Sequence, residues 1–346
     1  MTHLNPSRST RRNFFVSALS ALTLSAAPAA PRPNIILVLF DDLGYKDFSC
    51  YGSQYYSTPN IDAIAATGTR FTNYYAACPV CSPTRASVLT GKYPTRTGVT
   101  DWIPGYPAPK DSVLLTPQTK LRLALEQKTI AEYLKPLGYA TASMGKWHLG
   151  GEGHSATEQG FDVNVGGTHK GQPNRYLAPF DMPGLTDAPT GTELSAHLTS
   201  KATAWIKSQT QPFFLYLPHF AVHTPLDALP ALIEKYKSKP NVNPTYSGMM
   251  ESADNAIGTL RESAPPNTIF ILTSDNGGIT NLRGTPVTSN APLREQKGYL
   301  YEGGIRVPLI IGVPGQKAQV SDTRACSVDL LPTILQLLGQ QSPKDI

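Results

Sequence analysis

Three short runs in this chain are apolar at almost every position, and each gives way to polar residues. Ile35-Ile36-Leu37-Val38-Leu39-Phe40 ends in Asp41-Asp42. Phe213-Phe214-Leu215-Tyr216-Leu217 leads to His219 and His223. Thr268-Ile269-Phe270-Ile271-Leu272-Thr273 ends in Ser274-Asp275-Asn276-Gly277-Gly278. A strand with one wet face alternates apolar and polar residues. A continuous apolar run marks a strand covered on both faces, the interior of a parallel sheet.

Segments at helical spacing lie between such runs. Thr58 to Gly68 presents Ile61, Ile64 and Ala65 on one face, with Pro59 early and Gly68 as a stop. Thr129 to Leu137, Glu193 to Ser208, Tyr246 to Leu260 and Val328 to Leu338 also read as helices. Tyr139 to Met144 and Val307 to Gly312 read as further strands. The alternation predicts an α/β fold, a mostly parallel sheet sandwiched by helices. The 346 residues suffice for one large domain of this kind or two small ones.

In open α/β sheets, ligands bind beyond the carboxyl ends of the strands. Asp41-Asp42, Lys146 with His148, His223, and Asp275-Asn276 each follow a predicted strand. Parallel strands bring all four groups to one rim. Asp41, Asp42, Asp275 and Asn276 offer only oxygen ligands, which suit calcium or magnesium and not zinc. Taken singly, Asp41-Asp42 is a solvated turn and Asp275-Asn276-Gly277-Gly278 a plain one. Two buried strands ending this way, with Cys81 between them in sequence, favour a metal site.

Cys81-Ser82-Pro83-Thr84-Arg85-Ala86-Ser87-Val88-Leu89-Thr90-Gly91 reads as a loop running into a helix. Ser82 is the expected N-cap, Pro83 the first helical residue and Gly91 the stop. Cys81 then lies just before a helix N-terminus, where negative charge is favoured, and Arg85 reaches back from one turn on. Cys78-Pro79-Val80-Cys81 also has the C-x-x-C spacing of a redox pair. Four cysteines in all do not make a disulfide-dense scaffold.

Residues 1–30 read as a cleaved leader. Arg11-Arg12-Asn13-Phe14-Phe15 precedes the apolar run Val16 to Leu24 and a small-x-small site, Ala27-Pro28-Ala29. The paired arginines match a twin-arginine signal, which implies a periplasmic or secreted protein. The apolar run is too short to span a bilayer, and no other stretch qualifies. The formal charge of +5 includes three leader arginines, Arg8, Arg11 and Arg12, so the mature chain carries 5 − 3 = +2. With no basic run, nucleic acid is not an expected partner.

The Cys81 string resembles the sulfatase signature, Cys-x-Pro-Ser/Thr-Arg followed by Leu-Thr-Gly. Gly145-Lys146-Trp147-His148, Val222-His223-Thr224-Pro225 and Gln296-Lys297-Gly298 through Gly303-Gly304-Ile305-Arg306 resemble further family strings, in family order. The likeness runs from about Pro33 to the end of the chain and implies the alkaline-phosphatase-like fold. It implies that a formylglycine-generating enzyme oxidises Cys81 to formylglycine. It implies calcium, or magnesium, held by Asp41, Asp42, Asp275, Asn276 and the converted Cys81. Arg85, Lys146, Lys297 and His148 are then expected to hold the sulfate and ester oxygens, with His223 taking a proton. His219 fits the pattern less well and is expected to be structural.

The resemblance thus implies hydrolysis of sulfate esters of a small molecule or a glycan, with a carbohydrate expected. A phosphonate or phosphodiester hydrolase is the alternative. An exported, catalytically silent glycan-binding protein is another, if Cys81 stays a thiol. Family members continue past a point like Ser342-Pro343-Lys344-Asp345-Ile346 into a small antiparallel subdomain. Residues 31–346 are therefore expected to form a C-terminally shortened catalytic domain. Residues 101–120 and 150–192 are expected to form loops near the site, with Trp102, His154, His169 and Arg175 as candidates to line it.

Overall fold

The computed structural model describes residues 32–107, 110–114, 117–241 and 243–346. The leader expected over residues 1–30 lies outside them. The main sheet has eight strands: β1 (Asn34–Phe40), β2 (Thr69–Phe71), β3 (Ala140–Met144), β4 (Val163–Val165), β5 (Phe213–Pro218), β6 (Thr268–Ser274), β7 (Leu309–Gly312) and β8 (Gln319–Ser321). Their spatial order is β8-β2-β7-β6-β1-β5-β3-β4. β1 pairs in parallel with both β5 and β6, and β3 in parallel with β5 and β4. The three expected central strands are therefore neighbours.

β7 alone runs against both its neighbours. Its direction has a simple cause. The chain leaving β6 stays at the carboxyl end of the sheet through Lys297 and enters β7 from there, with no crossover to carry it back. The sheet is thus mixed and mostly parallel.

Successive residues of β1 point to opposite faces, and each set enters a different core. Ile36, Val38 and Phe40 pack with α1 (Pro59–Ala65), with Leu194–Lys207 and with Pro244–Ser263. Ile35, Leu37 and Leu39 pack with α2 (Cys81–Thr90), with Ile130–Leu134 and with Leu330–Leu337. Two dry cores flank one sheet, which is why the central strands carry no polar face.

Helix ends follow local chemistry. Thr129 and Glu132 form a reciprocal capping box, Glu193 accepts the N–H of Ala196, and Asn243 accepts those of Thr245 and Tyr246. The helix expected over 129–137 narrows to a tighter turn at Lys135–Leu137, where Pro136 has no N–H to give. α2 departs from expectation. It starts at Cys81, with extended Val80 in the capping position and no side-chain cap. Ser82 is inside the helix, and its hydroxyl instead accepts the N–H of Ile103, 3.1 Å away. Gly91 ends the helix in the left-handed region, as expected. Among the described residues no helix is long and apolar enough to cross a membrane.

Candidate active site

The parallel strands deliver their polar ends to one rim. Asp41 and Asp42 follow β1, Lys146 and His148 follow β3, His223 follows β5, and Asp275 and Asn276 follow β6. α2 adds Cys81 and Arg85. Two glycines allow the close approach. A Cβ on Gly145 would sit 2.0 Å from the carbonyl oxygen of Pro218, so only glycine lets Lys146 N–H bond that carbonyl at 2.8 Å. A Cβ on Gly277 would lie 1.8 Å from the oxygen of Gly303. This is where Gly303-Gly304, inside the short helix Glu302–Ile305, draws the Lys297 segment onto the rim. Asp42 and His148 both have left-handed backbone (φ 59° and 55°), a strained choice for non-glycine residues that recurs at functional sites.

The charges interlock. Lys146 Nζ bonds both oxygens of Asp41, at 2.9 and 2.8 Å. Arg85 donates to Asp275 Oδ2 from Nε at 3.0 Å and from Nη2 at 2.6 Å, with Nη2 3.4 Å from Asp41. Lys297 Nζ lies 2.7 and 2.8 Å from the two oxygens of Asp42. Asp41, Arg85, Lys146 and Asp275 are completely buried. Burial opposes the charge on Asp275, but Arg85, Lys146 and Lys297 outweigh it and hold the carboxyl well below its usual range. Burial likewise opposes Asp42, and Lys297 and His223 bring it down. Lys297 loses solvation too, yet Asp42 keeps its ammonium well above the ordinary lysine range.

Cys81 sits among these groups, buried, with Sγ 3.6 Å from Asp41 Oδ1. Burial pushes its thiol up to about 12, and Cys78 to about 11. Both cysteines are free, as are Cys50 and Cys326. A redox pair works through a thiolate of lowered pKa, so the C-x-x-C spacing does not mark one here. A thiol held near 12 is also a poor nucleophile at neutral pH.

The two candidate histidines are neutral and have assigned tautomers. His148 Nε2 is 2.6 Å from the carbonyl oxygen of Ile103, which can only accept, so Nε2 carries the proton. Its Nδ1 is buried without a partner. Burial, then Lys146, push His148 well below the ordinary histidine range. His223 Nδ1 donates to Thr224 O at 2.7 Å, which leaves Nε2 with the lone pair, 3.5 Å from Asp42 Oδ2. Two acceptors face each other there, an arrangement that a cation resolves.

The residues fit a hard metal ion. Asn276 Oδ1 is buried with no partner, while its amide donates to Asp42 Oδ1 at 2.8 Å. Ligand atoms of Asp41, Asp42, Cys81 and His223 lie within 4.8 Å of one another. Asp275 is on the same rim, but its Oδ2 is held by Arg85, and its Oδ1 accepts the Asp42 N–H at 3.2 Å. It is therefore outside that tightest group.

Above the rim lies a cleft of about 550 Å³ reached by Cys81, His148, His223 and Lys297. One wall is Trp102, Ile103, Pro104 and Tyr106, with the Trp102 and Tyr106 rings edge-to-face at 5.3 Å. The other is His169, Lys170, Gly171, Gln172 and Asn174. Of the four loop candidates, Trp102 and His169 line the cleft, and His154 and Arg175 do not. Tyr106, Lys170, Gln172 and Asn174 carry no spacing or motif signal that singles them out in the sequence.

His219 is structural, as expected. It stacks on Phe40 (5.7 Å, 15°), and neither ring nitrogen has a partner among the described residues. Burial lowers its pKa from 6.5 to about 4. Below pH 6.5 the unfolded chain binds a proton that the folded chain refuses, so stability falls as pH drops toward 4. His219→Phe is expected to remove this loss. Between pH 7 and pH 5 the wild type should lose about 2 kcal/mol more than the variant in urea unfolding. Equal losses would refute the assignment.

A buried cluster of cations and carboxylates around one residue at a helix start, beneath an open cleft, is built to act on an anionic group. The family model described as Sulfatase matches residues 33–340. The chain is 34% identical to arylsulfatase A of Homo sapiens, over 94% of this chain and 68% of that protein. It is 32% identical to N-acetylgalactosamine-6-sulfatase of Canis lupus familiaris, over 94% of this chain and 66% of that one. The crystal structure of Ps i-CgsB in complex with k-i-k-neocarrahexaose superposes with a TM-score of 0.78 at 30% identity, covering 91% of this chain and 73% of that one. The chain belongs to the sulfatase family of sulfuric ester hydrolases, and its fold is the alkaline-phosphatase-like fold of these neighbours. It spans about two thirds of the length of the two named curated relatives.

Proposed function

We propose that this sulfatase hydrolyses sulfate esters of a carbohydrate, using formylglycine at position 81 and a bound calcium or magnesium ion. The observation that carries the reading is the ring of groups around Cys81. Three cations, Arg85, Lys146 and Lys297, are matched by three carboxylates, Asp41, Asp42 and Asp275, all within one interlocked cluster. Those charges cancel. A divalent ion held by Asp41, Asp42, Asp275 and Asn276 leaves the site net positive, ready for an anionic ester. The ion supplies charge neutralisation for the sulfate oxygens.

Formylglycine supplies a hydrated aldehyde, whose one hydroxyl can attack sulfur while the other permits release by elimination. The chain's own groups then have defined tasks. Arg85, Lys146 and Lys297 hold sulfate oxygens in place without reorganising. His148, with Nδ1 bare and Nε2 fixed on Ile103, offers an acceptor at the site, and His223 Nε2 offers another. The aromatic wall of Trp102 and Tyr106 suits the apolar face of a sugar ring, and Lys170, Gln172 and Asn174 suit its hydroxyls. Export to the periplasm or beyond, through a twin-arginine leader, is part of the same proposal and rests on the leader sequence.

The test is production alongside a formylglycine-generating enzyme, with sulfate release from an aryl sulfate as readout. Converted protein should be about 18 Da lighter than the unmodified chain. Release of aryl phosphate faster than aryl sulfate would overturn the choice of substrate. Absence of the mass change together with retained binding to sulfated glycan would make the protein a binder instead. Trp102→Ala should lower kcat/KM for a sulfated disaccharide about tenfold more than for an aryl sulfate. An equal loss on both would remove the sugar platform from the account.

A further inference from the structure

We propose that Tyr176 is a positioning residue for His223, a clasp between the substrate-facing wall of the cleft and the turn that carries this histidine. This inference rests on the proposed function of the cleft. Tyr176 is completely buried, and its hydroxyl reaches two carbonyl oxygens, Phe220 O at 2.5 Å and His223 O at 2.9 Å. Those carbonyls belong to the first and last residues of one tight turn, closed by His223 N–H to Phe220 O at 3.0 Å. The same turn is zipped to the strand end at Asp41, through Asp41 N–H to Ala221 O and Val222 N–H to Asp41 O. A phenol that holds both ends of the turn fixes the height of His223 above Asp42.

The other side of Tyr176 faces away from the site. Its N–H bonds Asp227 Oδ2 at 3.1 Å, and its carbonyl accepts the N–H of Leu194 at the start of the Leu194–Lys207 helix. Two residues before it, Asn174 ends the cleft wall that begins at His169. Tyr176 is thus the point where this wall, a core helix and the His223 turn are tied together. The phenolic hydroxyl has no access to water, so a lost bond here has no solvent substitute. The motif strings of the sequence do not include it.

The experiment uses Tyr176→Phe, which keeps the ring and deletes only the hydroxyl. With the converted enzyme and an aryl sulfate, kcat is expected to fall about tenfold, while KM changes less than twofold. The loss should vanish when Tyr176→Phe is added to His223→Ala, because the clasp then has nothing to position. Unchanged kcat in the single variant, or full additivity in the double variant, would overturn the proposal. A second measurement does not depend on turnover. In histidine-labelled protein with unmodified Cys81, the ring nitrogen resonances of His223, assigned by their loss in His223→Ala, should move in Tyr176→Phe. If they stay put, the clasp is not positioning the ring. A wild type that hydrolyses no aryl sulfate defeats the proposed function, and the resonances still decide the role of Tyr176.

Discussion

Cys81→Ala is expected to lower kcat/KM on an aryl sulfate by a factor on the order of 10⁴ or more, with little change in unfolding midpoint. Cys81 is buried between Asp41 and the cleft, and no cap or hydrogen-bond network hangs on its sulfur beyond the weak 3.6 Å contact. Its removal therefore leaves the ion pairs standing and deletes only the attacking group. Cys81→Ser is the sharper variant. A serine hydroxyl can attack sulfur once, but it lacks the second hydroxyl that drives release. A single turnover and a protein about 80 Da heavier, the mass of a retained SO3 group, are expected. Steady turnover by either variant would show that the nucleophile lies elsewhere.

Asp275→Ala is expected to cost about 3–5 kcal/mol of stability as well as activity. Arg85 is fully buried, and Asp275 Oδ2 takes both its Nε and its nearer Nη bond. Without that carboxylate the guanidinium is left with Asp41 at 3.4 Å, the carbonyl of Lys146 at 3.1 Å and the neighbouring Tyr216. An uncompensated buried cation is the expensive product, not the lost bond itself. The double variant Arg85→Met with Asp275→Ala should accordingly be more stable than Asp275→Ala alone. Urea unfolding in the presence of a chelator isolates this effect from metal binding. A single variant as stable as the wild type would mean that water reaches Arg85.

The central sheet was legible because its strands are covered twice. A strand such as Ile35–Phe40, buried on both faces, has no polar alternation to confuse with a helix face. Its carboxyl end is then marked by the first charged residues. That is why Asp41, Lys146, His223 and Asp275 could be assigned to one rim from spacing alone. The direction of β7 could not be read, because it depends on where the Lys297 segment travels and not on residues 309–312 themselves. The start of α2 was misplaced because Ser82 has the chemistry of a cap but spends its hydroxyl on Ile103, a partner 21 residues away. Ile103 also fixes the tautomer of His148, from 45 residues away in sequence. Asp275 reads as a metal ligand in sequence, and only the three-dimensional arrangement reveals how fully Arg85 claims one of its oxygens. Cleft walls are built from loops, where no period exists to be read.

The order of strands also sets a clock. β1 lies between β5 and β6, so the middle of the sheet cannot close until residue 274 has left the ribosome, and Lys297 comes 297 − 81 = 216 residues after Cys81. At about 5–20 residues per second, that interval is roughly 10–40 s. In that interval the cluster around Cys81 is incomplete, because Lys297, and for most of it Asp275, have yet to be made. A sheet that puts its first strand in the centre keeps Cys81, an early residue, waiting for the late strands that complete the cluster around it.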